Sequence, residues 1–189
     1  MLVQEQIDYY NEQGYLGVEN VLSEEELAEL RSVTDSFVEK SREVTEHTAA
    51  FDLEPGHTPE NPKLRRLKSP ILQHEVYRKT LHHEKILEIV SQLIGYALRS
   101  NGNKLNMKQP GYGSPVEWHQ DWSFYPHTND DLLAVGVVLD DMTEDNGPLL
   151  VIPGSHKGPI YDHHLDGHFC GAVTDSTFSD KAAVPVMVK

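Results

Sequence analysis

The chain has 189 residues, 38% of them hydrophobic and 24% charged, and a formal net charge of −14. That length buries roughly 70% of the unfolded surface around one full core, and the composition excludes a disordered chain. The acidic balance, with no Lys/Arg block to offset it, excludes a nucleic-acid partner and an anionic membrane surface.

Met1 to Tyr15 is polar and acidic, unlike a signal peptide, and the longest apolar run, Leu132 to Leu139, is too short to cross a bilayer. Cys170 is the single cysteine, which leaves no intrachain disulfide and fits a reducing compartment. A soluble, cytoplasmic protein is expected.

In chain order, Ile7 and Tyr10 mark a short helix that stops near Gly14, followed by a brief strand over Tyr15 to Val21. Ser23 and Glu26 form a capping box, flanked by Leu22 and Leu27 as a hydrophobic staple. The helix that starts there carries Leu27, Leu30, Val33 or Thr34, and Phe37 on one face. Residues 41 to 63 are polar, with Pro55, Gly56, Pro59 and Pro62, and read as a loop. "KLRRLKSPIL" contains a short strand. A second packing helix runs from about His83 to Ile94 and ends at Gly95.

Beyond residue 96 the texture changes to short apolar runs separated by Gly, Pro, Asn and Asp: "KLNMKQPGYG", "EWHQDWSFYP", "LLAVGVVLDD" and "GPLLVIPGS". That is the punctuation of antiparallel strands. Leu132 to Leu139 has almost no alternation, so it is expected to be a strand buried on both faces, with Leu149 to Ile152 returning beside it after the Asn146-Gly147 turn. Residues 154 to 181 are rich in Gly, His and Asp and read as a mobile lid. "KAAVPVMVK" reads as a strand entering the core. The fold class is α+β, with the N-terminal helices over about 1 to 96 bracing one side of a β-core over about 97 to 189, in a single domain.

One spacing carries chemistry. On a strand, residues two apart share a face and lie roughly 6.6 Å apart along the backbone, so His119 and Asp121 can converge on one ion with Gln120 turned away. An imidazole and a carboxylate, with one more histidine, make the facial triad of a non-haem Fe(II) site. Alone, the same pair is also what an ordinary polar turn beside a core strand presents.

Trp118-His119-Gln120-Asp121, the strand ending at Asp140-Asp141, the turn Asn146-Gly147-Pro148 and the run Val151-Ile152-Pro153-Gly154-Ser155-His156 come in an order that resembles the phytanoyl-CoA dioxygenase family of Fe(II)/2-oxoglutarate oxygenases. "GYLGVENVLSEEEL" and "NMKQPGYG" are similar to the family as well, so the resemblance covers nearly the whole chain. It implies a double-stranded β-helix, the cupin-like jelly roll, and Fe(2+) held by His119 and Asp121. It also implies 2-oxoglutarate as cosubstrate, converted with O2 to succinate and CO2 as a small organic substrate is hydroxylated. Halogenating relatives lose the carboxylate, and Asp121 retains it.

By position, Arg66 matches a basic residue that reaches the cosubstrate, and Lys104 stands where relatives often carry methionine. A solvated surface charge is the competing explanation for each. Gly136 stands where relatives place a tryptophan, which implies a larger pocket or a different neighbour filling it. Trp122, Phe124 and Tyr125 follow the metal pair, and Trp122 and Phe124 are the candidates to line the substrate mouth.

In the family the third iron ligand and an arginine for the far carboxylate of 2-oxoglutarate follow the strand "VPVMVK". The resemblance therefore implies a chain that lacks its last strands and is inactive by itself. His156, His163, His164 and His168 are candidate stand-in ligands within the lid, and the plainer reading, exposed or hydrogen-bonded imidazoles, is favoured for each. Two rival classes remain: a non-catalytic jelly-roll binding or scaffold relative, and a Zn²⁺ hydrolase that borrows a lid histidine. The partner expected is a small molecule of unspecified structure, and the acidic surface argues against a bulky polyanion. Oligomeric state leaves no trace in the sequence.

Overall fold

The computed structural model describes every residue of the chain except Pro110, Tyr112 and Asp130. Pro110 and Tyr112 belong to the expected strand "NMKQPGYG", and that portion lies outside the described residues. The helices are α1 (Gln4–Gln13), α2 (Glu24–Lys40), α3 (Pro70–Gln73), α4 (Glu75–Leu81) and α5 (Glu84–Ile94). The strands are β1 (Phe51–Leu53), β2 (Leu64–Lys68), β3 (Lys104–Asn106), β4 (Leu150–Val151), β5 (His164–Leu165), β6 (His168–Phe169) and β7 (Val184–Pro185). They fall into two compact units.

One unit comprises residues 19 to 89 and 97 to 114. Ser23 starts α2 as expected. Its hydroxyl accepts from the Glu26 amide at 3.2 Å while Glu26 reaches back to the Ser23 amide at 2.8 Å, so two otherwise orphaned donors are satisfied. Leu30 and Phe37 are the buried residues of that helix. Phe37 meets Tyr77 of α4 and Phe51 of β1, with ring centroids 6.2 and 6.3 Å apart, and the Tyr77 hydroxyl bonds Thr34 at 2.9 Å.

β1, β2 and β3 form an antiparallel sheet in that order. Phe51, Leu67 and Leu105 make one cross-strand row, and Leu64 and Leu67 are completely buried. The expected strand in "KLRRLKSPIL" is present as β2, and Pro70 opens α3 directly after it. The stretch 41 to 63 is not all loop, because it contains β1. Single-sequence pattern misses a three-residue strand whose stability comes from its partner.

That loop is held by His57, whose Nδ1 accepts from the Lys63 amide at 2.8 Å while its Nε2 lies 3.0 Å from the Ser41 carbonyl. Glu54, 3% exposed, accepts from the amide of Ser114 at 2.9 Å and from its hydroxyl.

The other unit comprises residues 1 to 18, 90 to 96 and 115 to 189. α1 ends at Gly14 in the left-handed conformation, with φ 81°. Its last turn is sealed by the segment after β4: Gly154 donates to the Gln13 carbonyl at 2.8 Å, and His156 Nε2 bonds the Asn11 carbonyl at 3.1 Å. No strand forms over Tyr15 to Val21.

β4 pairs antiparallel with β7, and Met142 bridges Val188, so "KAAVPVMVK" does supply a pairing strand. Its partner is not the one expected for β4. Residues 132 to 139 form no strand, and Val135 is 52% exposed rather than buried on both faces. An apolar run is buried on two faces only when strands flank it and a layer covers each side, and among the described residues no strand pairs with this one. The expected lid contains a hairpin, β5–β6, turning through Asp166 (φ 50°) and Gly167 (φ 79°). Asp-Gly with both residues at positive φ is the favoured two-residue hairpin turn. Among the described residues no sheet closes into a barrel.

Candidate metal centre

The segment carrying the metal pair is not a strand. Gln120 is extended, with φ −118° and ψ 124°, and a 3-10 turn over Asp121–Ser123 follows it at once. One extended residue is enough to put its two neighbours on the same side. His119 Nε2 and Asp121 Oδ1 lie 3.5 Å apart, with side chains 25% and 38% exposed. His119 Nδ1 lies 2.7 Å from the Glu117 carbonyl. A carbonyl only accepts, so Nδ1 carries a proton, and it is Nε2, on the Asp121 side, whose lone pair a metal ion would take. This is the arrangement in which metal-bound histidines are commonly held.

The surroundings are aromatic. Phe124 packs edge-on against His119 with centroids 5.6 Å apart, and against Phe169 of β6 at 5.0 Å. Phe124 is 40% exposed. Trp122 sits inside the 3-10 turn, and its indole nitrogen is buried with no hydrogen-bond partner among the described residues. A buried donor in that condition costs about 1–3 kcal/mol unless something else accepts from it. An added Cβ on Gly136 meets nothing within 4 Å, so that position opens onto space.

Gln120 does not face idly away. Its amide nitrogen donates to the Pro159 carbonyl at 3.0 Å, and its amide oxygen accepts from Tyr161 N at 2.8 Å. The lid histidines do not complete the pair. His156 is spent on α1, and His163 is buried within hydrogen bonds to Gln120, Ser123 and Tyr161. His164 bonds Asp162 at 2.7 Å and holds that carboxyl below the usual range, while His168 is exposed on β6. Among the described residues no group of three His, Cys, Asp or Glu side chains is placed to hold an ion. The plainer reading of the lid histidines holds: three of these imidazoles are hydrogen-bonded and His168 is exposed. His119 and Asp121 fit Fe(II) as two of its donors, one neutral nitrogen and one carboxylate oxygen facing a common point.

Arg66 and Lys104 belong to the other compact unit, where they share a face of the three-stranded sheet. Arg66 pairs across the strands with Asn106 and Asp52, bonding Asn106 Oδ1 at 2.9 Å and standing 3.7 Å from Asp52 Oδ2. Lys104 lies opposite Lys68 and is exposed.

Solved structures share this fold. EvdO2 from Micromonospora carbonacea var. aurantiaca, complexed with 2-oxoglutarate, superposes with a TM-score of 0.71 at 20% identity, covering 100% of this chain and 78% of its own. EctD from S. alaskensis with bound Fe superposes at 0.67 and 22% identity, covering 82% of this chain and 54% of its own. The family model for phytanoyl-CoA dioxygenase (PhyH) matches residues 10–189, and the chain belongs to that family.

Among curated relatives, a probable alpha-ketoglutarate-dependent hypophosphite dioxygenase of Stutzerimonas stutzeri is 35% identical over 178 residues, 93% of this chain and 62% of its own length. The L-proline trans-4-hydroxylase of Streptomyces griseoviridis is 31% identical over 159 residues, 81% of this chain and 55% of its own. The chain thus spans between half and two thirds of the length of these relatives. Among the described residues no helix is long and apolar enough to cross a membrane.

Proposed function

We propose that the chain carries the metal pair of a non-haem Fe(II)- and 2-oxoglutarate-dependent dioxygenase that hydroxylates a small molecule. Its fold we read as the jelly-roll core of the family with N-terminal bracing helices. The observation that carries the reading is the 3.5 Å approach of His119 Nε2 to Asp121 Oδ1, with the histidine's other nitrogen committed to Glu117. Bound there, Fe(II) with 2-oxoglutarate would supply oxygen activation coupled to decarboxylation, releasing succinate and CO2.

The chain's own residues do the rest. His119 and Asp121 hold the ion from one side. Phe124 and Phe169, 40% and 45% exposed, form an apolar edge beside it against which a substrate can pack. Trp122 and Phe124, which follow the pair in sequence, are the residues proposed to face the substrate. Arg66 and Lys104 are proposed for 2-oxoglutarate on the family resemblance alone. Relatives named for hypophosphite, L-proline and ectoine support a small, polar substrate.

One observation favours the rival, a non-catalytic binding relative: no third ligand joins the pair among the described residues. Incubation with Fe(II), 2-oxoglutarate and O2, with succinate followed by NMR, separates the two. Iron-dependent succinate that disappears in His119→Ala supports the dioxygenase. Because the chain spans 62% of the length of the hypophosphite dioxygenase relative, the same assay on a full-length protein containing it decides the other outcome: iron binding without succinate there selects the non-catalytic relative.

A further inference from the structure

We propose that His163 is a positioning residue for the metal pair: a neutral imidazole that fixes the peptide joining His119 to Asp121. The inference rests on the functional reading above and adds to it a residue 43 positions away.

His163 is 1% exposed, among the most buried side chains of the protein. Its Nε2 lies 3.0 Å from the backbone nitrogen of Gln120, the one residue between the two ligands. An amide can only donate, so Nε2 must hold its lone pair there. Its Nδ1 lies 2.8 Å from the Tyr161 carbonyl, which can only accept, and 3.1 Å from Ser123 Oγ. The proton therefore sits on Nδ1. Both nitrogens are assigned by their partners, and the ring is held in one tautomer and one orientation.

The effect on the pair is direct. Pinning the Gln120 amide sets the extended backbone of that residue, and this is what turns the His119 and Asp121 side chains to the same side. Two further ties act on the same short segment. The Gln120 side chain spans Pro159 O and Tyr161 N, and Val173 N donates to Trp118 O at 2.8 Å. Phe169 stacks on the His163 ring, with centroids 6.4 Å apart and planes 15° from parallel, and so ties the β5–β6 hairpin to the ligand segment. A lone buried imidazole could serve packing alone. One whose two nitrogens bond the peptide between two ligands and the turn that follows does more.

The test compares two substitutions in the full chain, with Co(II) as the probe ion and its visible absorption as the readout. His163→Leu fills the volume and removes the acceptor. His163→Gln places an amide oxygen where Nε2 was. Outer partners of metal ligands typically contribute 10–100-fold in affinity, so His163→Leu is expected to weaken Co(II) by about tenfold or more and His163→Gln to restore it to within about threefold. A purely structural role would lower the melting temperature of both variants and leave affinity at low temperature unmoved.

Nitrogen-15 NMR of the unsubstituted protein gives an independent reading, expected to show the His163 proton on Nδ1. Unchanged affinity in a folded His163→Leu variant, or a proton found on Nε2, overturns the proposal. If His163→Leu does not fold, the tautomer decides. If the unsubstituted protein binds no Co(II), the oxygenase reading fails, and the tautomer still judges whether His163 fixes this peptide.

Discussion

Replacing Ser114 by alanine removes one of the two hydrogen bonds that Ser114 makes to the buried Glu54 carboxylate. Burial pushes the Glu54 carboxyl upward, but the Ser114 hydroxyl and amide, with the charges of Arg65 and Lys108, outweigh it and hold the group below its ordinary value of 4.5. The carboxylate is therefore charged at neutral pH, and the lost bond is charge-assisted. Hydrogen bonds to charged groups contribute about 1.5–3 kcal/mol, and the backbone bond at 2.9 Å survives the substitution, so a loss of about 1.5–3 kcal/mol is expected near neutral pH.

The pH dependence has a definite sign. A carboxyl depressed on folding contributes stability that is fully present above its unfolded value and is lost as pH falls through the folded one. The difference between Ser114→Ala and the unsubstituted protein should therefore be full at neutral pH and shrink once the pH drops below the ordinary carboxylate range. Urea unfolding at both pH values measures it. A difference under about 0.5 kcal/mol near neutrality would refute the assignment of a charged, hydrogen-bonded Glu54, as would one that does not change on acidification.

Leu67→Ala, at a completely buried site in the centre of the three-stranded sheet, should cost about 2–5 kcal/mol in the same assay. Gly14→Ala forces a side chain into the left-handed region at φ 81° and drives its Cβ into the His156 ring. A loss of about 1–2 kcal/mol from the backbone alone is expected in thermal unfolding, with more from the displaced ring. Trp122→Phe removes only the indole N–H from among its polar atoms. Relief of the unpartnered donor, about 1–3 kcal/mol, offsets the packing lost with the smaller ring, so stability should change by no more than about 1 kcal/mol, and a loss of about 3 kcal/mol or more would show that the indole nitrogen has an acceptor.

What could be read from the sequence was what is encoded locally. Ser23 and Glu26 announce α2 because a cap is built from residues three apart, and Gly14 ends α1 because only glycine takes that conformation without strain. The Asp166-Gly167 hairpin carried a local signal too, the Asp-Gly turn, that a reading of the segment as a lid passed over. Strands were less legible. β1 is three residues long and exists because β2 lies beside it, whereas residues 132 to 139 have strand composition without a paired strand among the described residues.

At the site, the spacing of His119 and Asp121 identified the pair, but the backbone that brings them together is one extended residue and a 3-10 turn rather than a strand. His163 stood out in the sequence only as one of four lid histidines, and nothing local pointed to the positioning role proposed for it. Its importance lies in bonds to residues 40 and 43 positions earlier, which no local pattern encodes.

Metal affinity tests the central claim most directly. Anaerobic titration with Fe(II) should show binding to the unsubstituted chain, and His119→Ala and Asp121→Ala should each abolish it while melting like the unsubstituted protein. Undiminished Fe(II) affinity in either folded variant would contradict the claim that these two side chains grip the ion.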